Sequence, residues 1–127
     1  MARAWLERHY RDVEWVSGYR NIVLGGTQGS DALGYDFEVR DRSRRTLYFE
    51  VKSLVGEAGD LAEFELGETE VVAAQRHRGS YRILLVCGVL DSASRRVFEL
   101  PNPLAKDSAG LYTLLGRGLR YRCALEN

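Results

Sequence analysis

Lysine is almost absent from this chain: only Lys52 and Lys106 carry an ammonium, against sixteen arginines. The formal net charge is zero, so the molecule as a whole has no general pull on nucleic acid, and any such binding would rest on local arginine clusters. Two are visible, Arg40, Arg42, Arg44 and Arg45, and Arg117, Arg120 and Arg122, although a solvated turn or strand edge explains either. Cysteine is scarce as well. Cys87 lies in the apolar run Ile83-Leu84-Leu85-Val86-Cys87, and Cys123 alternates with Tyr121 and Leu125; both read as core positions. There is no Cys-x-x-Cys and no Cys/His cluster, which excludes a zinc-finger type of site. No signal peptide opens the chain and no apolar run approaches membrane-spanning length. The expectation is a protein of the cytoplasm without a membrane partner. Repeats and low-complexity segments are missing too. What remains, 127 residues with 45% apolar and 28% charged content, fits one compact domain over 1–127 with a core of about 3–100.

A chain this fond of arginine needs a reason to place one of its two lysines beside a carboxylate. Leu47-Tyr48-Phe49-Glu50-Val51-Lys52 is such a place. If it is a strand, Glu50 and Lys52 share one face, and Phe49 and Val51 the other. Gly34-Tyr35-Asp36-Phe37-Glu38-Val39 alternates in the same way after a glycine-rich loop. Asp41-Arg42-Ser43-Arg44-Arg45 supplies a polar turn, so the two runs predict an antiparallel hairpin. Asp36 opens its first strand and Glu50 lies near the end of its second, which brings them together. With Phe37, Val39, Phe49 and Val51 packed inward, Asp36, Glu50 and Lys52 converge on the opposite face. Two explanations stand side by side. One is a polar outer face, which would hold Glu38 as well. The other is a carboxylate pair for a hard cation with an ammonium for water or phosphate oxygens.

Gly34-Tyr35-Asp36-Phe37 followed by Phe49-Glu50-Val51-Lys52 resembles the D…(D/E)-x-K signature of the PD-(D/E)XK nuclease superfamily. More narrowly, the chain resembles the NO VEIN C-terminal-like domain, a domain of unknown function found at the end of large ATPase- or helicase-containing proteins. The flanking order agrees over roughly residues 1–103. Leu66-Gly67-Glu68-Thr69-Glu70 opens a helix containing Ala74, Tyr81, Ile83 and Val86 form an apolar strand, and Pro101-Asn102-Pro103 follows. Gly67 departs from the pattern, where the family usually has a threonine to cap the helix. The resemblance implies Asp36, Glu50 and Lys52 as catalytic residues. It also implies Mg²⁺ or Mn²⁺ on Asp36, Glu50 and the Val51 backbone carbonyl, and a nucleic-acid substrate, DNA in the first place. Glu7, Glu70 and Gln75 are accessory candidates; a solvated surface side chain is the commoner explanation of Glu7 and Gln75, and the helix dipole also favours an acid at Glu70. The partners implied are nucleic acid and other domains of a larger parent protein, of which this segment would be the C-terminal part. A different class of reading is a catalytically inactive accessory module that binds nucleic acid or a neighbouring domain.

Periodicity and breakers predict the remaining elements. A helix spans Arg3–Arg11, with no capping residue before it, and a strand spans Val13–Ser17. Loops cover Gly25–Asp31 and Gly56–Asp60; the first matches neither a dinucleotide fingerprint nor a P-loop. A helix spans Glu68–Arg78, ended by Gly79, and Tyr81–Leu90 is apolar enough for a buried central strand. Asp91–Ser94 turns, Arg95–Leu100 returns, a short helical piece covers Leu111–Leu115, and a last strand covers Leu119–Leu125. His9 and His77 have no partner pattern. The order helix, three strands, helix, strand predicts a restriction-endonuclease-like α/β sandwich with a central mixed sheet and an extra C-terminal strand.

Overall fold

A computed structural model describes residues 2–18, 29–54, 61–88, 95–105, 111–115 and 120–125. Helix α1 (Ala2–His9) leads into β1 (Arg11–Trp15), then a one-turn 3₁₀ helix (Asp31–Leu33), β2 (Phe37–Arg40) and β3 (Thr46–Leu54). Strand β4 (Leu61–Glu65) precedes helix α2 (Glu68–His77) and a 3₁₀ turn (Arg78–Ser80). Strands β5 (Tyr81–Cys87), β6 (Arg96–Pro101), β7 (Tyr112–Leu115) and β8 (Arg120–Ala124) complete the chain.

Five strands form one sheet in the order β1-β2-β3-β5-β6, and β4-β8-β7 form a second. The main sheet is mixed: β3 and β5 run parallel from Tyr48↔Tyr81 to Leu54↔Cys87, and every other pair in it is antiparallel. This is the α/β sandwich the element order predicts. The hairpin register, Phe37↔Phe49 to Arg40↔Thr46, is set by phase. Phe37, Val39, Leu47 and Phe49 are buried together with Leu6 of α1 and Leu84 of β5. A one-residue slip would turn all four apolar side chains to the other face. The Asp41 turn closes this hairpin, its Oδ1 accepting from the backbone N–H groups of Ser43 (2.8 Å) and Arg45 (2.9 Å).

The opposite face of the sheet carries the larger core. Ala73 and Ala74 of α2, Tyr81, Ile83, Leu85 and Cys87 of β5, and Phe64, Tyr121 and Cys123 of the second sheet pack there. Strand β5 is covered on both faces, which explains its continuous apolar run. Both cysteines are free and buried. Among the described residues, no helix is long and apolar enough to cross a membrane.

Three expectations are corrected. Residues 111–115 are not helical: Tyr112–Leu115 is a strand paired with β8. Tyr112 packs edge-on against Phe64 and Tyr121 and donates to the Pro101 carbonyl at 2.6 Å. Tertiary pairing overrides weak local preference in so short a segment. Leu61–Glu65, read as part of no element, is a strand with Ala62 and Phe64 buried and Glu63 and Glu65 exposed. Helix α2 stops at His77, and the positive φ lies at Arg78 (49°), not at Gly79. Its exit is held from a distance by Asn102, 1% exposed, whose Nδ2 donates to the carbonyls of Ala74 and Arg78, both at 2.8 Å. The expected Gly56–Asp60 loop, the Asp91–Ser94 turn, most of the Gly25–Asp31 loop and Arg117 lie outside the described residues.

Candidate functional site

The site forms where β2 begins and β3 passes beyond it. Gly34, at φ 80°, lets the chain enter β2 against the first turn of α2: a β-carbon there would lie 2.2 Å from the Thr69 carbonyl oxygen. Tyr81 Oη donates to the Gly34 carbonyl at 2.9 Å and fixes the same corner from β5. Asp36 follows. Its backbone N–H donates to Phe49 O at 2.8 Å, its carbonyl accepts from Val16 N–H at 2.8 Å, and its Oδ2 accepts from Val51 N–H at 2.8 Å. The Asp36 side chain thus takes the place along β3 that the residue before it would have filled had β2 continued towards its N-terminal side. Because a strand residue directs its N–H and C=O to the same edge, the Val51 carbonyl also faces the edge occupied by Asp36.

Glu50 and Lys52 project from the face of β3 that α2 covers, and Glu70 of α2 meets them. Lys52 Nζ lies 2.5 Å from Glu70 Oε1 and 3.5 Å from Glu50 Oε2. Glu50 is 8% exposed. Burial raises its pKa well above the usual carboxylate range, and the negative charges of Asp36 and Glu70 add to the effect. Lys52 opposes the shift, and a hydrogen bond with Asp36 favours the protonated acid. Three carboxyl groups therefore share one ammonium. Ser17, Gly34, Asp36, Glu50, Thr69 and Glu70 line a cleft of about 200 Å³ here. At about 30 Å³ per water, that is on the order of six or seven waters, the scale of a hydrated ion or a phosphate group.

The structure thus brings Asp36, Glu50, Lys52 and Glu70 together. Glu7 is elsewhere: it is exposed on α1, beside Arg3 at 3.9 Å, and α1 packs against the Phe49 face of the sheet. Gln75 is exposed on α2 and is not among the residues lining the cleft. Glu38, expected on the polar face, is turned away from the cleft and accepts from Tyr35 Oη at 3.0 Å. Ser17, 4% exposed and bonded to Trp15 Nε1 at 3.1 Å, joins the site without any signal in its local sequence. The first arginine cluster is a hairpin turn, with Arg45 paired to Asp41 at 3.3 Å, and Arg122 pairs with Glu63 at 2.6 Å across β8 and β4.

Among the described residues, no group of three or more His, Cys, Asp or Glu side chains is arranged to hold a metal ion. A two-carboxylate site remains, and its hard oxygen donors suit a cation that takes one or two carboxylates and completes its shell with water and phosphate.

The comparisons with known proteins are narrow. No curated protein and no solved structure matches the chain significantly. A family model described as Protein NO VEIN, C-terminal, matches residues 9–100, a span that contains Asp36, Glu50, Lys52, Glu70 and Gln75 and leaves out Glu7. Well over half of the chain is matched, from the end of α1 to the end of β6, and the protein belongs to the Protein NO VEIN, C-terminal family.

Proposed function

We propose that this is a metal-dependent nuclease-like domain of the PD-(D/E)XK type, acting on phosphodiester bonds of nucleic acid, DNA in the first place, as part of a larger ATPase- or helicase-containing protein. The observation that carries the reading is the charge arrangement of the cleft. Glu50 is buried against Asp36 and Glu70 with a single ammonium to offset them. A divalent cation would relieve that excess, and Asp36, Glu50 and the Val51 carbonyl are the groups that would hold it. Bound Mg²⁺ or Mn²⁺ supplies acidification of a water and neutralisation of charge on the scissile phosphate. Lys52 orients that water or a phosphate oxygen and stabilises the charge that builds up in the transition state. Glu70 holds the Lys52 ammonium beside Glu50 until a phosphate competes for it.

A second reading, an accessory module without chemistry, is favoured by the formal net charge of zero. Cleavage of DNA in Mn²⁺ separates the two. Asp36→Ala, Glu50→Ala and Lys52→Ala should each abolish it while circular dichroism reports a folded chain. Equal cleavage by the parent and all three variants removes the nuclease reading. A Mn²⁺-induced rise in melting temperature that depends on Asp36 and Glu50 supports a competent site.

A further inference from the structure

Beside the cleft lies a second concavity, of about 400 Å³, walled by the 3₁₀ turn before β2, the start of the hairpin and the outer side of α2. Tyr35 and Thr69 line both, so the two are neighbours separated by those side chains. Its volume falls in the range of small-molecule sites, whereas the cleft falls below it. The floor is aromatic. His77 stacks on Tyr48 with centroids 3.7 Å apart and planes 20° from parallel, and Tyr35 meets His77 edge-on at 5.7 Å. Burial and the neighbouring Arg76 lower the His77 pKa, so at neutral pH its ring is an uncharged π surface. Two exposed apolar side chains, Leu33 at 41% and Val72 at 51%, form the rim. Arg76 is exposed beside them.

Two carboxylates line the concavity, Glu38 inside and Glu68 exposed, like Arg76, at the rim. Glu38 Oε1 accepts from Tyr35, and no described residue donates to its Oε2. A half-buried acceptor at the edge of an aromatic floor, with a cation at the rim, matches an unstacked nucleobase whose exocyclic amine faces the acid. Aromatic and histidine rings take splayed bases by stacking, and a carboxylate accepts from the cytosine amino group.

We propose that this groove binds a nucleobase carrying an exocyclic amine, cytosine above all, from the strand whose phosphate enters the cleft. The substrate is then single-stranded or locally unpaired, because a base held in a stack cannot enter. The inference rests on the nuclease reading for the identity of the strand, and its test does not require cleavage. Fluorescence anisotropy in EDTA, with labelled oligo-dC and oligo-dT of eight nucleotides, measures binding alone. The parent should prefer oligo-dC by about fivefold, the effect of one hydrogen bond worth about 1 kcal/mol. Glu38→Thr should erase that preference. Val72→Glu, on the exposed rim where it disturbs no core packing, should weaken oligo-dC binding at least tenfold.

Equal affinity for the two oligonucleotides, or parental binding by Val72→Glu, overturns the groove even if Mn²⁺-dependent cleavage is found. Failure of both oligonucleotides to bind, in EDTA and again with Ca²⁺ filling the cleft, would leave the groove to a peptide and overturns it as well. Groove-dependent oligo-dC binding without any cleavage upholds this inference and rejects the nuclease chemistry.

Discussion

Glu50 should make the metal-free protein less stable as pH rises, and the size of the effect can be worked from the cleft. The folded chain holds the Glu50 proton above the ordinary value of 4.5, because the side chain is buried and faces Asp36 and Glu70. The unfolded chain releases that proton near 4.5. Stability from this group is therefore complete below about pH 4.5 and is lost progressively as pH rises towards the folded value. Each pH unit in that window is worth at most about 1.4 kcal/mol. Lys52, 3.5 Å from Glu50, already acts on the folded value, so between pH 5 and 7.5 an effect of about 3 kcal/mol is expected by the same relation. For a domain of this length that corresponds to roughly 9–13 °C in melting temperature. Glu50→Gln keeps the shape of the protonated acid and cannot ionise. In EDTA its melting temperature should match the parent near pH 5 and exceed it by that margin at pH 7.5, followed by circular dichroism. Millimolar Mg²⁺ should narrow the gap by stabilising the parent alone. Parallel profiles for the two proteins across this range would refute the account of the cleft.

Lys52→Arg keeps the charge and loses the compact ammonium that fits between Glu50 and Glu70. Cleavage should fall by at least about tenfold with the melting temperature nearly unchanged, and parental rates would return Lys52 to the role of an ion-pair partner. Gly34→Ala places a β-carbon 2.2 Å from Thr69 O and 2.9 Å from Ala73 Cβ at a φ of 80°, so α2 must shift or the turn must unwind. Urea unfolding should show a loss of at least about 3 kcal/mol, and a loss below about 1 kcal/mol would mean the corner yields freely.

How much of this could be read from the sequence depends on the range of the interactions involved. The juxtaposition of Asp36 with Glu50 and Lys52 follows from period-two alternation and a five-residue turn, both local, and β5 announces itself by its unbroken apolar run. The second sheet does not. Strand β4 pairs with β8 across some sixty positions, whereas β7 and β8 are neighbours in the chain, and the alternation of buried Ala62 and Phe64 with exposed Glu63 and Glu65 is too short to fix its partner. The stop of α2 is also non-local, since Asn102 reaches back to Ala74. Glu70 reads as an ordinary first-turn acid. Its meeting with Lys52 depends on how closely α2 approaches the sheet, and that distance is set by Gly34 and Thr69.

That approach also explains why the cleft is not simply a surface ion pair. Three carboxyl groups facing one ammonium leave an excess of negative charge that a fold can relieve in only a few ways. It can keep a proton, import a cation, or let a carboxylate swing into solvent. The last is closed to Glu50, which is 8% exposed and rooted in a strand paired with β5. Asp36 is tied to the Val51 N–H, so it cannot leave without abandoning the hydrogen bond that anchors the start of β2 to β3. The metal-free protein is then expected to hold the Glu50 proton, and a cation bound as proposed above would displace it. Proton release on adding Mg²⁺ and a pH-dependent melting temperature in EDTA are therefore two measures of one arrangement. Glu50→Gln should abolish both together.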